Sequence, residues 1–228
     1  MKPDWVSHDG TVELWCGDCL DVVPTLSGVD AMIVDPPYGI AHKSSHGASW
    51  QDTCIAGDES TEVRDAVLGW ARSNGLPWAC FGTWKVSQPI EARGVLVWDK
   101  GLASGMGDLS FPWKPSWETI AIGGQGWSGQ RDEGILRGYR QITWESMGRQ
   151  HPHEKPPSLS AALLAKLPNA KTILDPCMGT NPTGVACVKL GRKFRGVEVD
   201  RRYFDIAVRR VEQAYASEGL WTGALEKG

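Results

Sequence analysis

The stretch Val29-Asp30-Ala31-Met32-Ile33-Val34-Asp35-Pro36-Pro37-Tyr38 decides how the rest of the chain is read. Its first six residues form a near-continuous apolar run, the pattern of a strand buried on both faces in a parallel sheet. Asp35 follows at once, so the tetrapeptide Asp35-Pro36-Pro37-Tyr38 stands at that strand's carboxyl end. In open α/β sheets ligands bind along that edge. Two consecutive prolines stiffen the turn and remove two backbone donors, and their carbonyls stay free as acceptors. The plain alternative is a β-turn with proline at two positions.

Working outward, strands and helices alternate. Val12–Cys16 reads as a short strand, and residues 40–60 as a long Gly/Ser-rich loop. Glu62 to Ser73 has helical spacing, with Val63, Ala66, Val67 and Trp70 on one face, and Asn74-Gly75 ends it. Residues 77–82 and 94–98 read as further strands, the second buried, and Trp117–Ile122 as an edge strand. Residues 123–152 show no clear period. Ser158 to Leu167 is helical, entered through Pro156-Pro157. A short strand at 172–174, a loop, a helix to Leu190, a strand at 194–199 and a helix at 202–216 complete the chain. This alternation implies an α/β fold with a mostly parallel, doubly wound sheet. At 228 residues the chain fits one domain, 1–228, with loops 40–60 and 100–150 as insertions.

Composition sets bounds. No apolar run is long enough for a transmembrane helix, so no membrane partner is expected. Met1-Lys2-Pro3-Asp4-Trp5 lacks a signal-peptide core, and a cytoplasmic address follows as the expectation. Cys16 and Cys19 form a C-x-x-C with no second half-site to complete four metal ligands, so reduced thiols and no metal are expected. Net charge is −3, but it is uneven. Residues 1–84 carry 4 Lys+Arg against 12 Asp+Glu, and residues 156–228 carry 11 against 7. A local basic track suffices to hold phosphates, so the acidic total does not exclude DNA.

The tetrapeptide has a specific chemistry. A carboxylate and a fixed carbonyl can accept both hydrogens of an exocyclic amine, leaving its lone pair aimed at an electrophile. Tyr38 offers a face on which a base removed from a duplex can stack.

Asp35-Pro36-Pro37-Tyr38 resembles the catalytic motif of the DNA amino-methyltransferases. Two later blocks extend the resemblance. Asp175-Pro176-Cys177-Met178-Gly179-Thr180-Asn181-Pro182-Thr183-Gly184-Val185-Ala186, continued by Gly191 to Asp200, is similar to that family's S-adenosylmethionine loop and following strand. His151-Pro152-His153-Glu154-Lys155-Pro156 is similar to its H-P-x-x-K-P segment. With the catalytic motif first and the cofactor loop last, the order resembles the β group, over residues 11 to 215. The resemblance implies a Rossmann-like, S-adenosylmethionine-dependent methyltransferase fold with a circularly permuted, seven-stranded sheet. It implies S-adenosylmethionine as donor, S-adenosylhomocysteine as product, and double-stranded DNA with a flipped target base as substrate. A homodimer is often formed in this group. A place in restriction–modification and a bacterial or phage-encoded origin are also implied. An Asp at the head of the tetrapeptide goes with adenine N6, and cytosine N4 is the alternative. A DNA-binding homologue with weak turnover is the non-enzymatic reading, and a nicotinamide enzyme would need a G-x-G-x-x-G that the first strand lacks.

The expected cofactor residues are Asp18, Asp35, Lys155, Pro156, Asp175, Cys177, Gly179, Asn181, Thr183, Glu198 and Val199. A glycine loop opening a helix brings backbone N–H groups and a positive dipole end to an anionic group, here the methionine carboxylate. Glu198, ending the next strand, suits ribose hydroxyls. By resemblance, Asp18 lies near the adenine moiety, and Lys155 closes over the amino-acid end. Read singly, Asp18 and Asp175 are equally helix N-caps and Glu198 a strand-end charge. Three positions depart from the family: Asn181 replaces a glycine, Pro182 a hydroxyl residue, and Cys177 a phenylalanine. Asn tolerates a left-handed turn and Pro suits a first helical position, but the lost N–H points to weaker cofactor binding. DNA contacts are expected from Tyr38, Lys43, Trp50, Arg131, Arg137, Arg140 and Arg149, with Trp113, Trp117, Trp127 and Trp144 as further aromatic candidates. Core packing for most tryptophans and a solvated loop for the arginines are the plain alternatives.

Overall fold

The computed structural model describes residues 1–40, 58–101, 110, 112–114, 116–139 and 155–225. Nine strands form one sheet: β1 (Trp5–Val6), β2 (Val12–Cys16), β3 (Ala31–Val34), β4 (Trp78–Gly82), β5 (Gly94–Asp99), β6 (Trp117–Gly123), β7 (Ile135–Leu136), β8 (Thr172–Asp175) and β9 (Lys193–Glu198). Their order is β1-β2-β9-β8-β3-β4-β6-β5-β7. The two-residue outer strands β1 and β7 flank seven longer ones, which accounts for the expected seven. Neither short strand carries enough residues to show a period of two. Among the described residues five α-helices pack on the sheet: α1 (Cys19–Val22), α2 (Glu62–Ser73), α3 (Pro157–Ala165), α4 (Pro182–Lys189) and α5 (Arg201–Leu225).

Strand β3 has the predicted character, with all four residues buried. Alternation splits it between two layers. Ala31 and Ile33 face a core with Leu159 and Leu164 of α3, Val185 and Ala186 of α4, and Phe204 and Ala207 of α5. Met32 and Val34 face the opposite core, with Val22 of α1 and Val67, Leu68 and Ala71 of α2. Ala66 of α2 is exposed and Arg64 is buried in its stead, so the inward face is turned one residue from the expected one. Gly75 at φ +67° closes α2, its N–H bonded to the Arg72 carbonyl.

Two strand expectations are corrected. Strand β6 is not an edge: it pairs antiparallel with both β4 and β5. Strand β5 is not buried throughout; only Trp98 is, because two-residue β7 is its sole neighbour on one side. Antiparallel β6 leaves β5 running with the parallel set, so the carboxyl ends of β2, β9, β8, β3, β4 and β5 share one edge with the start of β6. Where β3 and β8 pair, the chain proceeds outward in opposite directions, to β4 and to β9, which is where a ligand crevice forms.

Gly123 of β6 faces Trp78 of β4, and a Cβ there would stand 2.1 Å from the indole. Gly94 has open space around the same position. Gly123→Ala is therefore expected to lose about 1–3 kcal/mol in urea unfolding, while Gly94→Ala stays within about 0.5 kcal/mol. Equal stability of the two variants would show that Trp78 is not wedged there.

Candidate active site

The residues at this edge arrive from separate elements. Asp35, Pro36, Pro37 and Tyr38 leave β3, and Asp175 ends β8 beside it. Lys155 precedes α3, whose N-terminus Pro156 caps and Pro157 opens. Glu118 is the second residue of β6.

These groups form one charged cluster. Lys155 is buried, and its Nζ donates to Asp35 Oδ2 at 2.7 Å and to the Tyr38 hydroxyl at 3.1 Å. The same Nζ stands 3.3 Å from Glu118 Oε2. The Tyr38 hydroxyl turns its hydrogen toward Asp35 Oδ1, at 2.9 Å, with Glu118 Oε2 at 3.2 Å. Lys100, just past β5, donates to Glu118 Oε1 at 2.9 Å. The Lys155 ammonium also lies 5.5 Å from the Tyr38 ring centre and 5.3 Å from that of Phe81.

The electrostatics follow from this placement. Burial pushes the Asp35 carboxyl above its ordinary range against the pull of Lys155, and the Glu118 charge adds to the rise. Glu118 is also half-buried, which raises its carboxyl, but Lys155 and Lys100 together hold it down at about 2. It has two ammonium partners where Asp35 has one. Burial works against the Lys155 charge, yet Asp35 and Glu118 outweigh it and raise its pKa. Burial and the two carboxylates beside it push the Tyr38 phenol up, keeping it protonated.

The second group surrounds the crevice from β8 and β9. The loop after Asp175 turns through Gly179 at φ +52°, where a Cβ would meet only open space. Asn181 takes the left-handed conformation, φ 65° and ψ 48°, and caps α4 by accepting from Gly184 N at 2.8 Å. Pro182 is the first helical residue, as the sequence predicts. Glu198 accepts from Gly179 N at 2.9 Å and from Asp200 N at 2.8 Å, tying the loop to the end of β9. Val199 beside it is exposed. The Thr183 hydroxyl is buried and meets Ser160 Oγ at 3.3 Å. Asp18 is an N-cap, accepting from Leu20 N at 2.8 Å, as its plain reading has it; Asp175 is not. The Cys19 thiol lies against Cys177 rather than Cys16, and a hydrogen bond between the two lowers Cys19 and raises Cys177.

The structure thus brings the tetrapeptide, Lys155, Asp175 and the glycine loop to one edge. Lys155 sits on the tetrapeptide. Arg137 reaches the same edge, paired with Glu133 at 2.7 Å, beside a groove lined by Asp99, Ser116, Trp117 and Ile135. Arg131 does not. Antiparallel β6 carries the chain to the opposite edge, where the carbonyl of Gln130 and the carboxylate of Asp132 hold Lys166 at the far end of α3. Trp127 packs against the core and donates to the Gly123 carbonyl. Lys43, Trp50, Arg140, Arg149, Trp144, His151–Glu154, most of loop 40–60 and part of loop 100–150 lie outside the described residues. Sequence reasoning missed Glu118, Lys100 and Trp84. Trp84 follows β4 at the catalytic edge and is 62% exposed. Their only signal was adjacency to strand ends.

Burial pushes the Asp175 carboxyl up to about 7, opposed by hydrogen bonds from Thr183 and from Cys177 N, and aided by the charges of Asp35 and Glu198. A raised carboxyl keeps its proton in the folded state while the unfolded chain has lost it. Its contribution to stability is therefore full below about pH 4 and is lost as pH climbs through about 7. Asp175→Asn should remove that fall, which is worth up to about 1.4 kcal/mol per pH unit. Denaturant unfolding of both proteins between about pH 4 and 7 measures the difference. Parallel pH profiles would place the ionised carboxylate in the folded protein.

Residues 97–209 match the family model N6_N4_Mtase, described as DNA methylase. The chain is 27% identical over 232 residues to "Putative methylase YubD" of Escherichia coli (strain K12), covering 90% of this chain and 95% of that protein. The crystal structure of the M1.HpyAVI–SAM complex superposes with a TM-score of 0.66 at 18% identity, over 88% of this chain and 98% of that one. PvuII DNA methyltransferase, titled cytosine-N4-specific, gives 0.65 at 14% identity, over 95% and 94%. At such identities the structures establish the fold: a Rossmann-like methyltransferase sheet in permuted order. The family's segment spans β5 to α5, and with the Asp35 tetrapeptide and the glycine loop at one edge of that sheet the chain is similar to the N6/N4 DNA methylases.

Proposed function

We propose that this protein transfers a methyl group from S-adenosylmethionine to an exocyclic amine of a DNA base, adenine N6. The observation that carries the reading is the Asp35 carboxylate at the β3 edge, half-buried and held from both sides by Tyr38 and Lys155. A cytosine-N4-specific enzyme shares the fold, so the choice of adenine rests on Asp, rather than Ser, at the head of the tetrapeptide. Cytosine N4 is the second reading.

The residues around the glycine loop fit the donor. Open space lies above Gly179, and the α4 N-terminus faces the same loop. Asn181 Nδ2 is buried with no acceptor among the described residues, a donor to spare where Pro182 supplies no N–H. Glu198 keeps lone pairs for hydroxyl donors beyond its two backbone bonds. Asp18, Asp175, Cys177, Thr183, Lys155, Pro156 and Val199 complete the proposed pocket. When bound, S-adenosylmethionine supplies an electrophilic sulfonium methyl. Asp35 and the Pro36 carbonyl accept the two amine hydrogens and hold the nitrogen lone pair toward that methyl. Asp35 takes the proton that nitrogen sheds. Tyr38, its phenol anchored, presents a fixed ring to the flipped base beside a narrow cleft bounded by Phe81, Thr83 and Gln88. Trp84, Lys85, Trp117 and Arg137 stand along the same edge and suit the DNA strand. Double-stranded DNA is the proposed partner, read by the two inserted loops or by a second subunit.

Asp35→Ala should lower methyl transfer at least about a hundredfold while leaving S-adenosylhomocysteine binding by calorimetry largely intact. Undiminished transfer would reject the assignment. Expression in a methylation-free host, followed by single-molecule modification detection, reports base, atom and site together. Modified cytosine would replace the adenine reading, and an unmodified genome would favour a binding protein.

A further inference from the structure

The Lys155 ammonium stands where the target amine must dock. Asp35 Oδ2 receives Lys155 at 2.7 Å, and Oδ1 receives the Tyr38 hydroxyl at 2.9 Å. An incoming NH2 that docks on the Oδ2 side of Asp35 competes with Lys155 for that oxygen. The transfer as described above has no use for Glu118. Yet Glu118 Oε2 lies 3.3 Å from that same Nζ. Its Oε1 is held by Lys100 at 2.9 Å, and its backbone stands opposite Trp98 of β5 in the sheet.

We propose that Glu118 is a positioning residue, the second seat of the Lys155 ammonium, which takes it over when the target amine docks on Asp35. The inference rests on the methyl-transfer reading of the preceding subsection. A Lys155 side chain only 4% exposed cannot retreat to water when it leaves Asp35. An ammonium in that position needs another anion within reach. Glu118 offers one at 3.3 Å, already at ion-pair distance, and Lys100 keeps the Glu118 carboxylate turned toward it. The groups facing Lys155 are Asp35 and Tyr38 from the end of β3, Glu118 from β6 and Phe81 from β4, with Lys100 one step further.

The arrangement predicts a pH signature. With two carboxylates beside it, Lys155 stays charged beyond its ordinary range despite burial. In Glu118→Gln one carboxylate remains and burial counts for more, so the ammonium loses its proton at lower pH than in the wild type. Neutral Lys155 then lets go of Asp35.

The test compares wild type, Glu118→Gln and Glu118→Asp as full-length proteins. It measures single-turnover transfer of labelled methyl to DNA from a methylation-free host, and calorimetric binding of S-adenosylhomocysteine. Glu118→Gln is expected to transfer at least about tenfold more slowly at pH 7 and to bind S-adenosylhomocysteine within about twofold of wild type. Its deficit should shrink as pH rises from about 7 to about 9.5. Glu118→Asp, which keeps the second carboxylate, should transfer within about threefold of wild type with no upward slope, and a larger deficit there overturns the role if Glu118→Gln does not fold. A Glu118→Gln deficit of equal size at every pH, or no deficit, overturns the second-seat role while the methyl-transfer reading stands. No transfer by the wild type removes that reading, and the inference with it.

Discussion

A buried ammonium must be answered by charge, and in this fold the answer to Lys155 organises the edge where the parallel strands end. The ion pair with Asp35 joins residues 120 positions apart in sequence, and its contact with Glu118 brings in a third element. Such a cluster is a poor source of stability. The desolvation of each charge offsets much of the attraction, and well-packed apolar side chains would hold the same elements at least as firmly. Its persistence is better explained by what it prepares. Lys155 opposes the burial that pushes the Asp35 carboxyl up, and Tyr38 is fixed by its hydroxyl.

The sheet's one long antiparallel strand makes that cluster accessible. In the parallel strands only the last residues reach the ligand edge. β6 runs the other way, so its first residues, Trp117 and Glu118, arrive there instead. Helix α3 also runs against the parallel strands, which puts Lys155 and Pro156 at the same edge and Lys166 at the opposite one. The positive and negative members of the cluster come from elements whose reversed direction delivers their beginnings to the place where β3 ends.

This geometry explains what the sequence disclosed and what it concealed. The strand before Asp35 was legible because burial on both faces demands an unbroken apolar run, and the tetrapeptide because two prolines have few uses after such a strand. Glu118 was not legible. One acidic residue in a weakly alternating strand carries no sign of the lysines that flank it in space, and the weak alternation itself suggested an edge. The apolar Val95-Leu96-Val97 run misled in the other direction, because its outer neighbour is only two residues long. Arg131 was expected at the DNA side for its charge and loop; the reversal of β6 sends it to the opposite edge. Strand direction is a property of the assembled sheet, and local pattern does not encode it.

The cofactor loop shows the same dependence at smaller scale. Taken singly, Asn181 and Pro182 look like losses against the family pattern. Together they form a consistent unit. Asn181 adopts the left-handed turn that a glycine would supply, and its Oδ1 caps the helix at Gly184 N. The N–H that Pro182 lacks is one of the first four of a helix, which have no partner within it. Gly184 completes the exchange: a Cβ there would stand 2.2 Å from Asn181 Oδ1, so the asparagine side chain occupies space that any other residue at 184 would need. The Gly-to-Asn change is therefore accommodated by Gly184 and matched by Pro182. The backbone path around the crevice is kept, and Asn181 Nδ2 stays buried without an acceptor among the described residues.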